Sequence, residues 1–269
     1  MELPLEDLFG DVVSKAQRGL GISNKDLADR TGLSMAAVDA VKNGATDRPT
    51  LRRLAAPLGL HADSLEAMAE VAWHPQPVTL EGLAQFNTTF DDMTVNAFLI
   101  WDPVSKEAAA FDTGATAEPM VSKIKELGLN LRYLFLTHTH PDHVADITTL
   151  AAPAVFVSER EPHSAAQSFA PGAQWNVGSL TIESRSTWGH SKGGTTYVVR
   201  GLQKPVAVVG DALFASSMGG GMVSFADALA TNRQEIFSLP DETIICPGHG
   251  PMTTVGEEKA HNPFYPEYK

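Results

Sequence analysis

The chain has 269 residues, 43% of them hydrophobic, 19% charged and 7% aromatic, with one cysteine and a formal net charge of -12. That length corresponds to about two folded units with ample material for a core, which excludes disorder, and the lone Cys246 excludes a disulfide scaffold and fits a reducing compartment. The start Met1-Glu2-Leu3-Pro4 has neither the basic region nor the apolar stretch of a secretory signal, and no apolar run approaches the roughly 18 residues of a spanning helix. A soluble, cytoplasmic protein without a membrane partner is therefore expected, and the acidic balance argues against whole-surface attraction to nucleic acid or anionic lipid.

Apolar positions recur at three- and four-residue steps over the first 70 residues, so short helices are predicted there. Leu5, Leu8, Val12, Val13 and Ala16 form the first stripe. Ser23 or Asn24 caps a second helix that stops at Gly32, and Ser34 caps a third that ends at Asn43-Gly44. Segments 50–58 and 62–69 complete five helices. The prolines of Trp73-His74-Pro75-Gln76-Pro77 then mark a linker, which divides the chain into a helical domain 1–72 and a larger domain 73–269. Beyond it, segments 96–101 and 108–111 flank the turn signal Asp102-Pro103 and predict a hairpin. A helix over 118–127 follows, with strands at 133–136, 155–157, 180–183, 195–199, 206–209 and 243–246 and a helix over 225–237. Interleaved strands and helices predict a layered α/β sandwich.

The strongest chemical signal is Thr137-His138-Thr139-His140-Pro141-Asp142-His143, directly after the apolar strand Tyr133-Leu134-Phe135-Leu136. Residues two apart on extended chain face one side, so His138 and His140 can share a site, with Asp142 and His143 turned toward a neighbouring position. Imidazole suits zinc and iron, and a carboxylate can hold or bridge a second cation. Gly189-His190, Gly210-Asp211 and Gly248-His249-Gly250 each put one ligand-type side chain in a glycine-rich loop at a strand end, so five of the nine histidines fall in these motifs.

This ordered set resembles the metallo-β-lactamase superfamily, and within it the glyoxalase II-like hydrolases, over residues 75–265. The resemblance implies an αββα sandwich with two divalent ions at one edge, zinc first, iron or manganese as alternatives. His138, His140 and His190 would hold one ion, Asp142, His143 and His249 the other, and Asp211 would bridge them. Asp142 and Asp211 are the carboxylates assigned to catalysis. A metal-bound hydroxide would attack a thioester or ester, whose thiolate leaves readily. A mononuclear iron sulfur dioxygenase of the persulfide type is the alternative, using His138, His190 and Asp211 alone. Asp211-Ala212-Leu213-Phe214 is followed by Ser216-Ser217-Met218-Gly219-Gly220-Gly221 with no cation, where relatives carry a Gly-Cys-Gly segment and a Lys or Arg. That loop is expected to be a mobile, uncharged rim, and glutathione is disfavoured as the thiol.

Residues 20–60, with Gly21-Ile22-Ser23-Asn24, Thr31-Gly32-Leu33-Ser34 and Lys42-Asn43-Gly44, resemble the helix-turn-helix of XRE-like phage-repressor regulators. In that family the helix 34–41 would enter the major groove. Here it offers Ser34, Met35, Ala36, Ala37 and Asp39, poor readers of base edges. Residues 1–70 carry eight Lys and Arg against eleven Asp and Glu, a net charge of -3. DNA binding, or a metal-sensing transcriptional regulator, is thus the weaker expectation beside packing or homo-oligomeric assembly. Asp112 ends a strand near the expected site and is a candidate to orient a ligand. Lys192 is a candidate contact for an anionic substrate group. Cys246 reads as a small buried hydrophobe, and His61, His74, His163 and His261 as surface or linker residues.

Overall fold

Five helices open the chain in a computed structural model that describes residues 3–269: α1 (Phe9–Gly19), α2 (Asn24–Thr31), α3 (Met35–Lys42), α4 (Arg48–Ala55) with a 3-10 turn Ala56–Leu58, and α5 (Ala62–Ala69). Their ends follow from side-chain chemistry. Ser23 accepts the Asp26 N–H and Ser34 the Ala37 N–H, so each satisfies a donor that a helix start would otherwise orphan. Gly32 closes α2 in the left-handed region at φ 68°, where a Cβ would strain. α4 starts earlier than the apolar spacing predicts because Asp47 caps it and Pro49 fits its first turn. Leu8, expected on the first stripe, instead stands at the N-cap of α1 and is 70% exposed, and Phe9 takes the buried place.

Two six-stranded sheets follow. The first runs β1 (Leu83–Phe90), β2 (Met93–Trp101), β3 (Glu107–Phe111), β4 (Asn130–Phe135), β5 (Ala154–Ser158) and β6 (Gln167–Phe169) in spatial order. β1 to β3 pair antiparallel and β3 to β6 parallel, and α6 (Glu118–Leu127) makes the crossover into β4. Two short helices, α7 (Pro141–Val144) and α8 (Ile147–Leu150), link β4 to β5. The second sheet is built from β7 (Gln174–Val177), β8 (Leu180–Ser186), β9 (Thr195–Arg200), β10 (Val206–Gly210), β11 (Ile244–Pro247) and β12 (Thr253–Thr254), in the reverse spatial order. The predicted hairpin is present, with Phe98 opposite Phe111 and Trp101 opposite Ala108. β1 escapes prediction because Gln85, Asn87, Thr88 and Thr89 interrupt its apolar alternation, and most of it stays half-buried.

Strand alternation sorts side chains into layers. Phe98, Phe111, Phe135, Ile182, Tyr197 and Val208 face between the sheets. Phe135 sits 4.8 Å from Trp175 and 5.0 Å from Tyr197 between ring centroids, and the Tyr197 hydroxyl donates to the Leu136 carbonyl at 2.8 Å, so one aromatic cluster locks both sheets together. On the outer face of the first sheet, Leu99 and Leu134 pack with Met120 of α6. On the outer face of the second, Val198, Ala207, Val209 and Ile245 are covered by α9 (Phe225–Thr231), which passes into a π-turn Asn232–Ile236, and by α10 (Val255–His261). The order is helix, sheet, sheet, helix, the expected αββα sandwich.

The N-terminal helices belong to this last layer. Val12, Leu51, Leu54 and Leu65 share one buried apolar cluster with Leu213, Phe225 and Tyr265. Gly19 lies so close to the Phe225 ring that a Cβ there would overlap it. The His61 N–H donates to the Pro263 carbonyl at 2.8 Å, and Trp73 stacks on His261 with centroids 4.3 Å apart. Among the described residues no helix is long and apolar enough to cross a membrane. Removing residues 1–72 should uncover Leu213 and Phe225, raise binding of a hydrophobic dye and lower the melting temperature by about 10 °C, as loss of several kcal/mol implies. Equal melting temperatures and dye binding for both chains would contradict this packing.

Candidate metal centre

β4, β10 and β11 all release their chains at one edge of the sandwich, and the loop before β9 returns to the same place. Thr137 follows β4 by two residues, Asp211 follows Gly210 at the end of β10, and His249 follows Pro247 at the end of β11. Backbone bonds hold these loops together: Thr195 N–H to Thr137 O at 2.9 Å, Gly248 N–H to Gly210 O at 2.8 Å and Asn96 N–H to Gly248 O at 2.7 Å. Residues 137–140 are loop, not strand, yet the two imidazoles of His138 and His140 still meet, with ring centroids 4.5 Å apart.

The structure brings His138, His140, His190 and Asp211 into one group and Asp142, His143 and His249 into an adjoining one, with the donor atoms of each group within 4.8 Å of one another. His140 presents Nδ1, at 3.0 Å from His138 Nε2 and 3.1 Å from His190 Nε2. Asp211 lies between the groups. Its Oδ1 is 3.3 Å from His143 Nε2, and its Oδ2 is 3.3 Å from His190 Nε2 and 3.5 Å from His249 Nε2. Asp142 Oδ2 stands 3.5 Å from His143 Nε2 and 3.4 Å from His249 Nε2.

Each imidazole that presents Nε2 is fixed from behind through Nδ1. His190 Nδ1–H donates to the Gly220 carbonyl at 2.9 Å and His249 Nδ1–H to the Thr94 carbonyl at 2.6 Å. His143 Nδ1–H donates to Asp112 Oδ2 at 2.8 Å, and His138 Nδ1–H donates to Thr137 Oγ1, whose own hydroxyl donates to Asp112 at 2.7 Å. Asp112 thus orients two imidazoles at once, from a left-handed φ of 57° that short polar side chains tolerate. Glu161 has no signal in the sequence that would distinguish it from a surface turn residue. It accepts from Thr139 N–H at 2.9 Å and from Gly193 N–H at 2.7 Å, tying the loop of His138 and His140 to that of His190.

With their Nδ1 protons committed outward, these rings turn lone pairs toward one another and toward two carboxylates. Asp211 Oδ1 and His143 Nε2 are buried without a hydrogen-bond partner, which is costly unless a cation lies between them. Burial opposes ionisation of His143, yet Asp211 and Asp112 outweigh it and lift the ring to about 10. Burial likewise opposes His249, and Asp142 and Asp211 lift it to about 11. Burial and the neighbouring imidazoles push His138 far below its ordinary value. A donor set that must otherwise recruit protons fits divalent cations. Gly248 is part of the fit, because a Cβ there would overlap Asp211 Oδ1 and crowd His143.

Other residues take structural places. Lys192 is exposed and Cys246 is buried beside Met252, with burial pushing its thiol up. His61 caps α5, His74 bonds the Leu3 carbonyl, and His163 accepts the Ala165 N–H. The loop expected to be a mobile, uncharged rim carries no charge of its own, but over residues 216–219 it is buried and held rather than forming a loose rim. Glu258 accepts the Ser216 N–H, Asn262 donates to the Ser217 carbonyl, and Lys15 of α1 donates to the Met218 carbonyl at 2.9 Å.

The family model described as the metallo-beta-lactamase superfamily matches residues 90–249. Hydroxyacylglutathione hydrolase GloC of Haemophilus influenzae is 32% identical over an alignment of 197 positions that covers 63% of this chain and 92% of that relative. The mitochondrial persulfide dioxygenase ETHE1 of Mus musculus is 31% identical over an alignment of 180 positions that covers 62% of this chain and 69% of the relative. The crystal structure of ETHE1 from Myxococcus xanthus superposes with a TM-score of 0.59 at 26% identity, covering 68% of this chain and 85% of that one.

Replacing Asp112 by Ala should weaken divalent-metal affinity by about 10- to 100-fold in a chelator competition, because two rings lose their orienting partner. His163→Ala should leave the affinity unchanged, and equal effects would contradict the orienting role. Without metal, the Asp211, Asp112 and Asp142 carboxylates hold His143 and His249 protonated well above their ordinary range, so loading near neutral pH should release protons and affinity should fall as pH falls. Calorimetry in buffers of different ionisation enthalpy that shows no release would refute this.

Proposed function

The chain belongs to the metallo-β-lactamase superfamily, and from that premise we propose that it is a hydrolase of thioesters or activated esters working with two divalent ions, zinc first among them. The observation that carries this reading is the completeness of the second group. Asp142, His143 and His249 lie together, and the two oxygens of Asp211 face different imidazoles, as a bridging carboxylate requires. A dioxygenase reading, favoured by the persulfide dioxygenase relative, needs His138, His190 and Asp211 only and leaves the second group without a role.

His138, His140, His190 and Asp211 would hold one ion and Asp142, His143, His249 and Asp211 the other. Divalent ions there supply Lewis acidity, which brings the pKa of a coordinated water toward 7 and polarises a carbonyl. Asp142 keeps 12% side-chain exposure at the mouth of the centre, and in this reading it takes the proton of the attacking water and passes it toward the departing thiol. Asp112, through His143 and through Thr137 and His138, keeps the inward lone pairs aimed. No serine or cysteine nucleophile is needed, and Cys246 is sealed in the core.

For the N-terminal helices, the exposed residues favour a packing or assembly role over DNA contact despite the helix-turn-helix resemblance. The outward positions of α3 are Ser34, Met35, Ala36, Asp39 and Ala40, and Lys25 on α2 is paired with Asp29 at 2.7 Å. Both leave little positive charge for phosphates.

The metal-loaded protein should hydrolyse short acyl thioesters and take up no oxygen with glutathione persulfide, and Asp211→Asn should cut hydrolysis by about three orders of magnitude while His163→Ala does not. Oxygen uptake with one bound iron per chain and no thioester hydrolysis would overturn this in favour of the dioxygenase.

A further inference from the structure

Residues 3–8, outside the family match, run between the two loops that carry Asp211 and His249. The Leu3 carbonyl is held by His74 Nε2 at 2.9 Å. Next, the Pro4 carbonyl and the N and Cβ of Glu6 lie 3.5, 3.1 and 3.5 Å from where a Cβ on Gly250 would stand, so the segment rests on the loop directly after His249. Asp7 then accepts from Ser217 and pairs with Lys15, and Lys15 donates to the Met218 carbonyl. Lys15 also lies 5.1 Å from the centroid of Phe214, whose ring meets His249 edge-on at 5.6 Å. The segment is therefore fastened at three points along the rim of the metal centre.

Its charges are not equivalent. Asp7 is buried and matched by Lys15. Glu6 is half-buried and has no ion pair of its own among the described residues; burial raises its carboxyl above the usual range, and His249 nearby draws it back down. We propose that the N-terminal segment forms one wall of the substrate site and that Glu6 selects substrates by charge, disfavouring those with an anionic leaving group and favouring neutral or cationic ones. A fixed carboxylate on the rim repels a like charge at the moment of binding, which is a specificity device that costs the favoured substrate nothing. A loaded centre with two divalent ions would otherwise attract anions broadly.

This inference rests on the hydrolase reading for its activity arm and is independent of it for its binding arm. The activity arm compares kcat/KM for acetylthiocholine, S-acetyl-3-mercaptopropionate and the methyl ester of the latter. The binding arm measures the affinity of thiocholine and 3-mercaptopropionate for the zinc-loaded protein. Glu6→Gln should raise the anionic-to-neutral ratio about tenfold, as loss of one nearby charge in a medium of intermediate dielectric implies, and Glu6→Lys should raise it further, with zinc content unchanged. The thiol affinities should shift in the same direction. If no thioester is hydrolysed but the thiol ratio shifts, the role of Glu6 stands and the hydrolase reading falls. If thioesters are hydrolysed and neither ratio moves in Glu6→Lys, the role of Glu6 is refuted and the hydrolase reading stands.

Discussion

Seven electron-pair donors held at close quarters repel one another unless something positive lies among them. That constraint governs the molecule. Four of the five imidazoles converge with the two carboxylates because their outward-facing hydrogen bonds leave them little choice. Gly220 and Thr94 carbonyls, Asp112 and Thr137 each take an Nδ1 proton and turn the opposite nitrogen inward. Breaking one such bond frees a ring to rotate away and relieve the repulsion, so the orienting partners are as necessary to the centre as the donors themselves. Asp211 Oδ1 and His143 Nε2, buried 3.3 Å apart without another partner, mark where a proton or a cation has to sit.

The fold exists around that edge. Parallel pairing of β10 with β11 and of β3 with β4 brings several strand ends to one side, where loops rather than ladder bonds determine direction. Gly210 and Gly248 let neighbouring loops approach within distances a side chain would forbid: a Cβ on Gly210 would overlap Thr137, and one on Gly248 would overlap Asp211. The aromatic cluster around Phe135 fixes how far apart the sheets stand, which in turn fixes the distance between the β4 loop and the β10 loop. The N-terminal helices complete the outer layer of the second sheet, and through Lys15, Asp7 and Ser217 they reach the loop that follows Asp211.

Much of this was legible in the sequence wherever a residue's own chemistry determines its place. Three histidines and an aspartate within six residues, and single ligand-type residues beside glycines at strand ends, are patterns in which local spacing already implies proximity. Helix caps at Ser23 and Ser34 were legible for the same reason. What was hidden depends on partners distant in the chain. β1 is a strand because β2 pairs with it, not because its residues alternate. Asp112 was legible as a candidate to orient a ligand, but that it serves two rings depends on the arrival of Thr137 and His143. The Ser216 to Gly221 loop reads as loose from composition, and contacts with Glu258, Asn262 and Lys15, from both ends of the chain, hold its first part. Glu6 carries no sequence signal at all, since its position on the rim follows from how the helical layer docks.

The most direct measurement is anomalous diffraction at the zinc edge from crystals grown with excess zinc. Two peaks about 3.5 to 4 Å apart are expected, one bounded by His138, His140 and His190, the other by Asp142, His143 and His249, with Asp211 touching both. A single peak beside the first three histidines, or none among these residues, would contradict a dinuclear centre.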